Sequence, residues 1–219
     1  LAERIRSRGG QATPLALDVS DYEATEATLS ALYEKHPFEL VVANAGVGGD
    51  LKPVRTTTVS SAADVIKTNY LGALATLLPA IGPMLQRKRG RLVGVTSLAG
   101  EIALPTGADY GTSKAALSFY LESAAMDLAP HGITVTDVRP GFVRTAMTAG
   151  HTFDMPFLVE LDRAADIIEA GIFRDRRVVR FPLPLGTAIT LGKVIPNDWR
   201  RRCSTPGATS SRTGCWSAR

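Results

Sequence analysis

Short apolar runs rich in β-branched residues alternate with longer stretches suited to helices, and this alternation limits the chain to few architectures. The runs fall near 13–18, 38–44, 90–97, 133–138 and 176–181, and the helical stretches near 21–35, 58–87, 107–129, 160–172 and 185–195. Strands separated in this way by helices call for parallel βαβ connections, so the expected fold is α/β. With 219 residues, 45% of them hydrophobic, one domain has enough material for its core. No internal repeat interrupts the pattern.

The densest chemistry lies in Gly107-Ala-Asp-Tyr-Gly-Thr-Ser-Lys-Ala-Ala116, where Tyr110 and Lys114 stand four residues apart. One helical turn puts the phenol and the ammonium on one face, within reach of a common atom. A free tyrosine titrates near ~10, and a useful phenolate near neutrality needs a drop of about 3 units, roughly 4 kcal/mol. A positive charge at about 4 Å, at an effective dielectric of about 20, supplies about 4 kcal/mol. Lys114 is therefore expected to depress Tyr110. The ordinary alternative is an exposed lysine one turn beyond a half-buried tyrosine.

Ser97 ends a buried run, Gly90-Arg-Leu-Val-Gly-Val-Thr-Ser97, at the place where open parallel sheets keep their ligands; helix capping or a turn would use the same residue. Asn44-Ala45-Gly46 ends the apolar run 38–44 with small residues that allow close backbone approach, as a plain turn also would. Asn69 is a poor interior helix former within a helical run, and its bland reading is solvent exposure. Pro140 and Gly141 break the run 133–138 and open a loop that carries Thr145 toward the same crevice.

Taken together, Asp18, Asn44-Ala45-Gly46, Asn69, Ser97, Tyr110 with Lys114, and Pro140-Gly141 with Thr145 resemble the short-chain dehydrogenase/reductase family, in its order and spacing, from about residue 13 to about 182. The resemblance implies a Rossmann-like doubly wound parallel sheet in three αβα layers. It implies an NAD(P)-dependent oxidoreductase that interconverts an alcohol and a carbonyl, with NAD or NADP as cofactor. Tyr110 would be the general acid/base, Ser97 would hold the substrate oxygen, Lys114 would hold the nicotinamide ribose, and Asn69 would anchor a relay water. Asp18 with the Val19 amide would meet adenine, Asn44, Ala45 and Gly46 the adenosine ribose side, and Pro140, Gly141 and Thr145 the carboxamide. A small-molecule alcohol or carbonyl substrate and a homodimer or homotetramer follow from the same resemblance.

The chain departs from the family at its start. Leu1-Ala-Glu-Arg-Ile-Arg-Ser-Arg-Gly-Gly10 resembles the end of a second helix, and no T-G-x-x-x-G-x-G loop precedes it. The expectation is an N-terminally truncated domain over 1–198, lacking one βαβ unit of about 30 or more residues. An apolar sheet edge along 40–43 would then be bare, and the helix N-terminus that receives a pyrophosphate would be missing. Competing with the enzyme reading is a catalytically silent remnant or interaction module that pairs through the helices at 58–87 and 107–129.

Net charge is +4 with a pI near 9.3. Five arginines lie in 199–219, a stretch without acids that reads as a disordered basic tail, so the remainder is nearly neutral and no nucleic-acid partner is expected. Cys203 and Cys215 fit neither a zinc spacing nor a disulfide scaffold, and His36, His131 and His151 are scattered, so no metal is expected. A cytoplasmic location is the default, with no membrane span. The loop from Thr145 to Phe157 carries Met147, Phe153, Met155 and Phe157, which suggest an apolar substrate pocket or a piece of core.

Overall fold

The computed structural model describes residues 1–149 and 154–194. Four parallel strands, β1 (Leu40–Ala43), β2 (Gly90–Val95), β3 (Ile133–Pro140) and β4 (Val178–Phe181), pair in chain order. Register runs Val42 opposite Val93, Val93 opposite Thr136, and Val138 opposite Val179. The helices are α1 (Ala2–Arg6), α2 (Tyr22–Lys35), α3 (Val59–Ile66), α4 (Gly72–Arg87), α5 (Ala108–Leu128), α6 (Leu161–Phe173) and α7 (Leu183–Val194).

Strand alternation sends side chains to two faces and so builds two cores. On one face Val41, Leu92, Ile133 and Val135 pack with α2, α4 and α5 through Leu29, Leu77, Met84, Leu117 and Leu121. On the other, Val93, Val138, Val179 and Phe181 pack with Ala164 and Ile172 of α6. Leu117, Leu121 and Ile133 are at most 2% exposed. Each such side chain contributes about 1.5–3 kcal/mol by leaving water. Local signals set the helix starts: the Asp21 carboxylate accepts from Ala24 N at 3.1 Å, and Thr58 and Ser61 cap α3 reciprocally.

Three element expectations change. Segment 13–18 is not a strand. Among the described residues β1 pairs only with β2 and no strand offers 13–18 a ladder; the Asp18 carbonyl instead accepts from Asp21 N and Thr25 Oγ1, and Leu15 is exposed. The helix expected over 58–87 is opened by a wide π-turn at Lys67–Leu71, with α3 before it and α4 after it. The last helix starts earlier than expected, at Leu183. The outer edge of β1 has no partner among the described residues, and Val42 is 40% exposed. Residues 199–219 with Cys203 and Cys215, the expected boundary at 198, and His151 and Phe153 lie outside the described residues.

Candidate active site

Tyr110, Lys114, Leu117 and Leu121 follow one stripe of α5, the stripe that faces the sheet. A lysine on that stripe loses most of its water, and Lys114 is 3% exposed. Burial lowers its pKa from 10.5 to about 8, and the Asp137 carboxylate opposes the shift. Its Nζ donates to the Val95 carbonyl at 2.8 Å and lies 5.9 Å from the centre of the Tyr110 ring.

The phenol sits beside Ser97. Burial pushes the Tyr110 pKa up from 10, and the Ser97 hydroxyl, as hydrogen-bonding neighbour, draws it down. Burial thus outweighs the lowering expected from Lys114, and the phenol lies above its ordinary value. The Ser97 Oγ accepts from Ala99 N at 3.1 Å as a cap, and it lies against the phenol and 3.4 Å from the Pro140 carbonyl.

Asn69 occupies the π-turn and is fully buried, which removes the solvent-exposed reading. A π-turn disturbs the helical ladder and turns a side chain inward, a device found often at functional sites. The Asn69 amide accepts from Val47 N at 2.8 Å and donates to the Val47 carbonyl and to Ser113 Oγ, both at 2.9 Å. Ser113 in turn donates to the Tyr110 carbonyl at 2.7 Å. Gly46 completes the cradle: a Cβ there would stand 3.2 Å from both Asn69 Oδ1 and Lys114 Nζ.

The structure thus gathers Gly46, Asn69, Ser97, Tyr110, Lys114 and Pro140. Gly141 lies beyond Pro140, with α7 close over it, since a Cβ there would meet Leu185 at 2.8 Å. Asn44 and Ala45 are exposed just past β1. Thr145 stands in a turn where its N–H donates to Thr148 Oγ1 at 3.0 Å. Val19 reaches the site's flank, because a Cβ on Gly72 would sit 2.5 Å from the Val19 carbonyl oxygen. The exposed Asp18 carboxylate accepts from Ser20 N and Oγ, which holds its pKa below the usual range. No hydrogen bond joins Asp18 or Thr145 to the central group.

Sequence reasoning passed over Ser113, Asp137 and Glu101. A carboxylate alone in the β-branched run 133–138 was the available signal for Asp137. No group of three or more His, Cys, Asp or Glu that could hold a metal ion occurs among the described residues, and no described helix is long and apolar enough to cross a membrane.

A parallel sheet with polar groups gathered past the carboxyl ends of its strands is the architecture of nucleotide-dependent enzymes. The chain belongs to the short-chain dehydrogenase family, whose model (short chain dehydrogenase) matches residues 1–155. It is 41% identical over 198 residues to an uncharacterized oxidoreductase of Myxococcus xanthus, covering 90% of this chain and 78% of that protein. It is 34% identical to cyclopentanol dehydrogenase of a Comamonas species, covering 66% of this chain and 58% of that protein. A short-chain dehydrogenase of Sphingobium yanoikuyae, solved with NADPH, shares the fold with a TM-score of 0.76 at 22% identity, over 96% of this chain and 83% of that one.

Residues that fit a nicotinamide ribose are present. Among the described residues the buried Lys114 ammonium has one acceptor for its three N–H groups, the Val95 carbonyl, and the Gly46 backbone packs close beside it. The 219 residues contain no T-G-x-x-x-G-x-G loop.

Proposed function

We propose that the chain forms the reacting half of an NAD(P)-dependent oxidoreductase that interconverts a carbonyl and an alcohol, with Tyr110 as general acid in reduction and general base in oxidation. The observation that carries this reading is the Ser97 hydroxyl against the Tyr110 phenol, with the Lys114 ammonium 5.9 Å from the same ring. A bound nicotinamide supplies the hydride donor or acceptor. The chain's own residues handle the oxygen and the proton. Ser97 holds the substrate oxygen, and Tyr110, kept as a neutral phenol by burial, gives its proton to that oxygen as the carbonyl becomes an alcohol. Lys114 offers its free N–H groups to the ribose hydroxyls. Asn69 anchors the water through which the proton is replaced, and with its amide engaged by Val47 and Ser113 the main chain of the π-turn holds that water.

Pro140, Gly141 and Thr145 orient the carboxamide, Asn44, Ala45 and Gly46 line the adenosine ribose side, and Asp18 with Val19 meets adenine. The substrate is a small apolar ketone or secondary alcohol, the class that the name of the Comamonas relative specifies, and the apolar Leu185 side chain lies over Gly141 beside Pro140. Assembly uses a second copy of the chain against α5, whose outer face shows Phe119 (75% exposed) and Met126 (61% exposed).

The test is loss of reduced-nicotinamide absorbance with a panel of ketones and each of NADH and NADPH. Consumption with at least one ketone is the expected result. No consumption with either cofactor favours the second reading, a catalytically silent module, to which the apolar α5 face gives weight.

A further inference from the structure

Asp137 is a charged residue on β3, 3% exposed, in a strand otherwise built for packing. Three side chains satisfy it: Thr96 Oγ1 donates to Oδ1 at 2.5 Å, and Ser118 Oγ and Arg139 Nε donate to Oδ2 at 2.6 and 2.7 Å. Two of these donors sit beside the candidate site. Thr96 lies between Val95, whose carbonyl holds Lys114, and Ser97. Ser118 follows Lys114 by one turn on α5.

We propose that Asp137 is a positioning residue for the Ser97, Tyr110 and Lys114 group: its carboxylate ties the end of β2 to α5 and supplies the buried negative charge that keeps Lys114 an ammonium. The tie is geometric. β2 carries Ser97 at its end and α5 carries Tyr110 and Lys114, so a single carboxylate bonded to both elements fixes how far the hydroxyl stands from the phenol. A buried carboxylate with one bond too few costs several kcal/mol, which makes any slip of α5 along the sheet expensive.

Charged groups surround the carboxylate. Arg139 pairs with Asp137 through Nε at 2.7 Å and with Glu101 through another guanidinium nitrogen at 3.3 Å. Glu101, 5% exposed at its side chain, also takes Arg180 at 2.8 Å and Lys193 at 3.1 Å. Glu122 on α5 and Arg177 ahead of β4 border a cleft of about 200 Å³ with Asp137. Lys114 faces Tyr110 on its own helix and Asp137 from β3, and the Asp137 charge is what opposes its desolvation.

This inference rests on the oxidoreductase reading only for the use made of Lys114, and its test needs no turnover. Lysines labelled at Cε report their own protonation by NMR, with the Lys114 signal assigned by its loss in Lys114→Met. In the wild-type chain the Lys114 midpoint is expected near 8. In Asp137→Asn it is expected to fall by about 1 unit or more, since a nearby opposite charge is worth about 1–3 units. An unchanged midpoint in a folded Asp137→Asn overturns the charge role. Should that variant not fold, Thr96→Val with Ser118→Ala keeps the charge and removes two bonds: a Tyr110 ring resonance shifted from its wild-type position supports the tie, and an unmoved one overturns the proposal. A silent chain with a shifted Lys114 midpoint would leave this inference standing and remove the enzymatic reading instead.

Discussion

Lys114 Nζ is fixed 2.8 Å from the carbonyl of Val95, so the site's cation is held by the last residue of β2, two residues before Ser97. The bond couples the position of α5 to the sheet. Burial lowers the pKa of the ammonium to about 8 against the opposing Asp137 charge, and burial raises that of the phenol beside it.

The first consequence concerns stability against pH. Folded Lys114 titrates near 8 and its unfolded reference near 10.5, so between those values the unfolded chain binds more protons and stability rises with pH. The gap corresponds to roughly 3 kcal/mol across the window. Urea denaturation from pH 7.5 to 10 is expected to show that rise, and Lys114→Met is expected to flatten it. Parallel curves for the two proteins would contradict the assigned burial of the charge.

Gly46→Ala places a methyl 3.2 Å from both Asn69 Oδ1 and Lys114 Nζ. Neither atom can retreat freely, because one holds Val47 N and the other the Val95 carbonyl. A stability loss of about 1–3 kcal/mol is expected, as for other overpacked sites, with weaker binding of reduced cofactor. Denaturant midpoints and a fluorescence titration check both parts, and a variant equal to wild type in each would mean that the cradle is loose.

Asn69→Ala removes three hydrogen bonds at a fully buried position, two to the Val47 main chain and one to Ser113 Oγ, which keeps its bond to the Tyr110 carbonyl. The expected loss is about 2–4 kcal/mol, read as a drop in the urea midpoint at unchanged slope. A loss below about 0.5 kcal/mol would show that Asn69 does not hold the loop after β1.

Much of this was legible in the sequence because its signals were local. The strands at 38–44, 90–97, 133–138 and 176–181 and the helices around them follow from side-chain period, and Tyr110 with Lys114 from one turn of helix. What was not legible depended on partners distant in the chain. Segment 13–18 has a strand's composition but no described neighbour to pair with. The π-turn at Asn69 is set by the Val47 backbone and by Ser113, 22 and 44 residues away. The direction of the Tyr110 shift turned on how deeply the fold buries the phenol, and spacing alone cannot show that.

The outer edge of β1 makes a further case. Val42 is 40% exposed on a strand with one neighbour among the described residues, so Val42→Lys places a charge there with room for its stem. Light scattering during concentration is expected to show less self-association than wild type, with stability changed by less than about 1 kcal/mol. Equal association in both would place the sticky surface elsewhere, with the Phe119 and Met126 face of α5 next in line.

The central claim is that the Tyr110 phenol exchanges the proton. Ketone reduction measured with NADH and NADPH across pH 6 to 10, for the wild-type chain and Tyr110→Phe, tests it most directly. The account predicts turnover in the wild type that falls by about 10²-fold or more in the phenylalanine variant at every pH, with the fold intact. Equal turnover in the two proteins would remove Tyr110 from the chemistry and contradict the account.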